Sequence, residues 1–485
     1  MSFDRRRDFF TTTWPGRGSS AASAGRCRVA THPAALTAAL IATFIVPPNV
    51  MFGNEVYDLS PVGNGGETVR VRCVLEVTGE LKLNASGKGV TRLPLRVKGE
   101  ISYDERTIDA GRQRTRLKNV RLYEQARATI QVGETATQSE LRPDCRLIVA
   151  DASAGHLVLF SPLGPLTRDE LELLDVPGSS ALVAGLLPEK PVAVGERWSP
   201  APEVLAGLLG LDAVTQARVE SGLQQVDDKR AVLAIKGTVS GAVRGISSDI
   251  ELDGRCDFDM AQRRITWLAM SIRETRAVGH AEPGLEAVAR LRMGIAPGKP
   301  CAEISEATLA HVPLEANPGT LLLRLASPEG KYQLLYGRQW RVMLDRHDVT
   351  VLRLVDQGDL IAQCNASRLP DLPPGQHVQL EAFQADVQQS LGKSFGDFVE
   401  ASQTVSDRGI RVLRAVVSGV ASEMPIQWTY YHFSDARGRQ LAMVFTTDAR
   451  LVERFAGADQ PLVSSFEFAD HPRGSAGGEA STADR

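Results

Sequence analysis

Three runs in the first third of the chain, "VRVRCVLEVTGELKL", "RLPLRVKGEISYDE" and "LKNVRLYEQARATIQV", alternate apolar and polar residues with a period of two. That period sends successive side chains to opposite faces of an extended strand, so each run has one apolar and one wet face. A sheet of this kind is antiparallel and one-sided, and other parts of the chain must cover its apolar face. "DCRLIVADAS" and "GHLVLFSP" continue the pattern. It resumes later as "KRAVLAIKGTVSG", "SSDIELDGRCDFDM" and "RRITWLAMSIRETR".

The cover lies between the two blocks of strands. "LTRDELELLD" carries a capping box at Thr167 and Glu170, in which a hydroxyl and a carboxylate satisfy the orphan amides of a first helical turn. "SSALVAGLLPEKPVAVGERWSPAPEVLAGLLGL" reads as two short apolar helices, Ser180 to Leu187 and Pro202 to Leu211. Ser199 is the expected cap of the second, with Pro200 in its first turn. Laid over the sheet, the two helices would roof a hydrophobic cavity suited to a lipid-like ligand. Trp198 and Trp267 are expected to pack within this part of the chain.

At 485 residues the chain exceeds what one core supports, and its composition divides it. "GIAPGKPCAEISEATLAHVPLEANPG" is rich in Pro and Gly, weak in periodicity, and reads as a linker with a helical turn inside it. The expected fold class is α+β. A curved antiparallel sheet domain with a helical insertion (54–298) is followed by a linker (299–319), an α+β domain with an antiparallel sheet flanked by helices (320–468), and a polar, disordered tail (469–485).

The second domain has its own order. "LLLRLASPEGKYQLLYGRQWRVML" supplies two strands and a turn, and "VTVLRLVDQGDLIAQCNA" a strand pair around Gln357 to Asp359. In "QHVQLEAFQADVQQSLG" the residues Leu380, Phe383, Val387 and Leu391 share one helical face, and Gly392 ends it. "GIRVLRAVVSGVA", "PIQWTYYHF" and "RQLAMVFTT" are strands, "DARLVERFAG" is a helix capped by Asp448 and ended by Gly457, and "PLVSSFEF" closes the fold. Trp428 and Phe445 are expected to face that last helix together, with Tyr431 turned to the other side.

From "YQLLYGRQW" through the helix after the Pro-rich turn to "YYHF…GRQLAMVFT…SFEF", about Thr320 to Phe468, the chain resembles the PsbP-like fold. Tyr336-Gly337 stands where that family commonly has an aromatic residue followed by Pro. The resemblance implies a scaffold and no particular activity, so no site residue is carried over. The N-terminal part resembles, more distantly, the LolA and LppX superfamily of exported carriers, in which helices plug a curved antiparallel sheet.

Six Arg and two Asp lie in residues 1–53, and their "AALTAALIATFIV" run is 13 residues long, ended by Pro47 and Pro48. An apolar run of that length suits a signal-peptide core better than a membrane-spanning helix. Cys27 precedes it, so lipid modification at that residue does not fit. The whole chain carries a formal net charge of −3, and loss of that net +4 leaves −7. Neither value offers a basic field for nucleic acid. Five scattered cysteines remain, Cys73, Cys145, Cys256, Cys301 and Cys364, with no C-x-x-C among them. They are expected to be mainly buried free thiols, with Cys73, Cys145 and Cys256 on strands.

Motifs for chemistry are sparse. "GKS" at Gly392 to Ser394 lacks the earlier glycine of a phosphate loop, since Val387 stands there. "DRHD", Asp345 to Asp348, reads as a solvated turn, with cation ligation by Asp345 and Asp348 as the minor alternative. "GSSA" at Gly178 to Ala181 reads as a helix start rather than a nucleophile turn, and His156, His280 and His432 as surface or core residues. The expectation is therefore an exported, periplasmic or secreted, non-enzymatic protein without cofactor, metal, catalytic residue or identified ligand residue. It would bind a protein partner or, alternatively, carry an apolar small molecule in its N-terminal domain, with no membrane span once the signal is removed. N-terminal sequencing of the envelope-associated protein should find a new terminus near Val50 to Asn54, and a start at Met1 or Ser2 would contradict cleavage.

Overall fold

The structure, a computed structural model, describes residues 55–61, 66–85, 89–109, 117–152 and 156–469. The expected signal segment, most of the "GNGG" lead-in and the tail beyond Ala469 lie outside these residues. Strand accounts for 55% and helix for 14% of the fold, so sheet dominates and the helical share of an α+β fold is small.

The eight alternating runs, with four strands that they did not announce, Thr135–Glu140, Arg197–Trp198, Ala213–Val226 and Gly284–Pro297, form one twelve-stranded sheet. From edge to edge its path is Val158–Phe160, Leu147–Asp151, Lys118–Val132, Gly89–Asp109, Thr68–Ala85, Gly284–Pro297, Arg264–Arg276, Ile246–Asp259, Arg230–Val243, Ala213–Val226 and Arg197–Trp198. Thr135–Glu140 pairs with Lys118–Val132 beside this path. All of these pairings are antiparallel, and the join between the two blocks is Thr68–Ala85 against Gly284–Pro297. The first and last long strands of the domain thus lie side by side.

The inner face carries Val71, Cys73, Leu75, Ile101, Leu268, Met270, Leu291 and Met293, all buried. The helix Arg168–Leu174 has the expected capping box. The other expected helices are shorter than their sequences suggest. Val183–Leu186 is a single 3-10 turn, and the second helix is Pro202–Leu209, with Ala201 rather than Ser199 at its N-cap and Pro202 rather than Pro200 in its first turn. Together these pieces plug the inner face with Leu182, Val183, Leu186, Val204, Leu205 and Leu208.

The seven-stranded C-terminal sheet runs Trp340–Asp345, Thr350–Asp356, Asp359–Leu369, Gln440–Asp448, Met424–Ser434, Arg411–Ala421 and Phe395–Val405. Its central hairpin is buried on both faces, which corrects the expected arrangement. Trp428 and Tyr430 pack with Phe383 and Val387 of helix Leu380–Leu391. Tyr431, Phe433 and Phe445 turn to the opposite face, where Phe455, Leu462 and Phe466 meet them. Trp428 and Phe445 therefore face different layers, and Tyr431 is as buried as they are, its hydroxyl donating to Asp459 at 2.5 Å. The closing "PLVSSFEF" divides between two elements. Pro461 sits in the first turn of helix Gln460–Ser464, which leaves only Glu467–Phe468 as strand, paired with Tyr332–Tyr336.

The expected linker is a packed strap. Pro297 still belongs to a strand, and Ile304 and Leu309 bury themselves against Val120, Leu147, Val149 and Phe160 on the outer face of the sheet. The domains also meet directly. Arg168 donates to the carbonyls of Arg338 at 2.7 Å and Trp340 at 3.1 Å, and Arg338 to that of Leu159 at 2.6 Å. Glu282 accepts from Arg341 at 2.7 Å and also from Arg244. Burial opposes the charge of Glu282, but Arg244 and Arg341 outweigh it and hold the carboxyl below its ordinary value. Two hairpin tips touch backbone to backbone at Gly245 and Gly358, where a Cβ on Gly245 would lie 2.2 Å from the Gly358 nitrogen.

Trp428→Ala and Phe445→Ala should each lower stability by about 3–5 kcal/mol in denaturant melts, because each empties one side of a doubly covered sheet. A loss confined to one of them would mean that only one layer is packed.

Candidate functional site

In "LKNVRLYEQ" simple alternation turns Val120 and Leu122 inward and Arg121 outward. A register shift where Ser102 and Tyr103 pair with Gln125 and Tyr123 reverses the phase. Arg121 therefore points to the inner face, directly opposite Glu105, and both are buried. Val120 takes the outer face, under the strap.

Arg121 Nε donates to Glu105 Oε2 at 2.7 Å, and Nη2 donates to Ser179 Oγ at 2.8 Å and Ser180 Oγ at 3.1 Å. Ser180 donates to the same Glu105 oxygen at 2.8 Å, and the Tyr103 hydroxyl is 2.9 Å from Ser180 Oγ. The guanidinium lies 4.8 Å from the centre of the Tyr103 ring, which stacks at a tilt on Tyr123. Ser179 and Ser180 belong to "GSSA", so the cluster pins the start of the plug to the sheet. Sequence reading passed over Arg121 and Glu105; the signal was a charged pair on adjacent strands, legible only with the register in hand.

The chemistry of the cluster is quiet. Burial pushes the Cys73 thiol up to about 12 and raises both tyrosines, so all three stay protonated at neutral pH. Burial disfavours the charge on Arg121, and the Glu105 carboxylate paired with it opposes that effect and keeps the guanidinium charged. The adjoining cavity measures about 10 Å³, room for roughly one water molecule. Where a lipid-sized cavity is expected beneath the plug, Leu182, Val183, Leu186, Val204, Leu205 and Leu208 pack into the core of the sheet.

Apolar side chains nevertheless continue past the plug on the same face, with Leu95, Leu285 and Ala287 buried and their neighbours partly so. Val77, Leu81, Leu95, Val97, Ile130, Val132, Leu285 and Ala287 form a second cluster drawn only from four neighbouring strands. No residue of the plug or of the C-terminal domain belongs to it among the described residues. Leu83, on the same side of Thr68–Ala85, is 38% exposed.

The remaining sequence candidates fall elsewhere and do not converge. Asp345 accepts from Ser327 at 2.8 Å and Thr350 at 2.7 Å, while Arg346 closes a turn with Val349 and Asp348 is exposed. Gly392–Ser394 is a 3-10 turn at a helix end. His432 is buried and 2.9 Å from Gln440, His156 is exposed, and the His280 carbonyl accepts from Arg353. Trp198 Nε1 donates to Leu186 O at 3.0 Å within the plug, whereas Trp267 is 37% exposed. Cys73, Cys145, Cys256 and Cys364 are buried thiols and Cys301 is partly exposed, but Cys145 sits in a 3-10 turn rather than a strand. Among the described residues no three His, Cys, Asp or Glu group to hold a metal ion.

No family model matches the chain, and no curated protein matches it. Among solved structures, a PsbP protein of Synechocystis sp. PCC 6803 matches over 32% of this chain and 99% of its own, at 15% identity and a TM-score of 0.25. A structure on lipid–protein interactions in lipovitellin matches over 50% of this chain and 26% of its own, at 10% identity and a TM-score of 0.29. Both are weak similarities of fold.

Arg121→Met should destabilise the protein by about 3–5 kcal/mol in urea melts, because it strands Glu105 in the interior. Arg121→Met combined with Glu105→Leu should recover most of that loss. Equal losses in the single and double variants would contradict a mutually compensating pair.

Proposed function

We propose that this chain is an exported, non-catalytic binding protein of the cell envelope, and that its ligand is an apolar, lipid-like molecule held on the inner face of the N-terminal sheet. The supporting observation is the apolar strip beyond the plug. Four strands set about 4.8 Å apart carry it, and four alternating positions along one strand span roughly 20 Å. Such a strip matches an extended hydrocarbon chain better than a compact polar metabolite. A ligand lying there would reach the packed space under the plug by displacing Val183–Leu186 and Pro202–Leu209, elements of only four and eight residues.

The mutual saturation of Arg121, Glu105, Ser179 and Ser180 supports a holding role over a chemical one. A protein partner is the second possibility, favoured by the edge strand Phe395–Val405 and the exposed Val399, Val405 and Val420 on and beside it. An unpaired strand edge accepts an added strand from another chain.

Native mass spectrometry of the mature protein should show a bound apolar mass, and a fluorescent fatty acid should bind saturably. Val97→Glu, in the middle of the strip, should weaken that binding at least about 10-fold while leaving the plug in place. A ligand-free mass together with no saturable fatty-acid binding would overturn the proposal.

A further inference from the structure

At the opposite end of the strands from the Arg244–Gly245 tip lies an open pocket of about 690 Å³ between the sheet and the start of the strap. Arg106, Arg263 and Arg264 line it together with Thr68, Pro297 and Pro300. Three guanidinium groups on one pocket are conspicuous in a chain whose formal charge is −3. The volume falls within the range of small-molecule sites and far exceeds that of a single inorganic ion.

The arginines are more buried than the carboxylates that pair with them. Arg106 donates to Ile304 O at 3.3 Å and lies 3.8 Å from Glu306, whose side chain is 93% exposed. Arg263 meets Asp58 at 2.8 Å and Arg264 meets Glu67 at 2.8 Å, with the two carboxylates 50% and 52% exposed. The arginine side chains are only 19%, 33% and 22% exposed in the order 106, 263 and 264. Ion pairs with such exposed carboxylates contribute about 0–1 kcal/mol, so an incoming anion can compete for the guanidiniums, although Asp58 is also held by the Ser60 N–H at 2.9 Å. Each guanidinium has five N–H donors in a planar fork, more than these contacts use.

We propose that this pocket binds a small organic anion, whose phosphate or carboxylate oxygens replace Asp58, Glu67 and Glu306 on the three arginines. The site lies at the far end of the strands from the apolar strip and does not depend on the apolar-ligand proposal. Pro297 and Pro300 add apolar wall to the pocket, which favours an anion with a carbon body over a bare ion.

Calorimetric titration of the full mature chain with glycerol 3-phosphate and with citrate separates the two oxygen sources. One or both should bind saturably and weaken as salt is raised. Arg263→Gln, at a partly exposed turn position, and Arg106→Gln should each weaken binding about 10-fold with unchanged melting curves. Asp58→Asn with Glu67→Gln should strengthen it, an effect that a purely structural role for the arginines would not give. Absence of saturable binding by either anion up to ~10 mM, or equal binding by parent and Arg263→Gln, would overturn the proposal.

Discussion

A twelve-stranded antiparallel sheet with its apolar side chains on one face cannot leave that face to water, and the rest of the molecule follows from how it is covered. The plug covers the middle of the inner face, helix Arg168–Leu174 covers the side toward the second domain, and the strap covers the outer face where Val120 and Phe160 lie. The C-terminal domain continues this cover. Its residues Leu323, Trp340 and Phe445 belong to the same apolar cluster as Val71 and Leu205, so the two sheets share one core across the seam.

The polar contacts within this core act on position more than on net stability. Removing Arg121 and Glu105 from water costs several kcal/mol per ion, which their attraction repays only with close geometry and added hydrogen bonds. The pair has both, through Ser179, Ser180 and Tyr103. An apolar plug slides on an apolar sheet at little cost, whereas a buried ion pair tolerates one register. At the seam, Glu282 between Arg244 and Arg341 imposes the same demand on the relative placement of the domains.

The elements were legible in proportion to their regularity. The capping box at Thr167, the helix ending at Gly392 and the strand pair around Gln357 stand where their local chemistry puts them. Gln357 and Gly358 both have positive φ, the requirement of a tight two-residue hairpin. Phe395–Val405 escaped notice because two register irregularities, near Phe395 and Phe398, break its period of two. Apolar composition alone suggested a helix over Ser180 to Leu187, but without a cap or a repeating face it makes only one 3-10 turn. The candidate site was legible least of all, since Arg121 and Glu105 are ordinary charged residues until a bulge turns one of them inward.

By itself the sequence determined most of the strands, the apolar faces of the regular ones, and the need for a cover, because period and capping act between residues a few positions apart. Only the tertiary structure decided that the first and last strands of the N-terminal sheet pair, that the central C-terminal hairpin is buried on both sides, and that the plug packs into the core of the sheet. Those outcomes depend on which distant surfaces exclude water together. A residue's own neighbours along the chain carry no record of that.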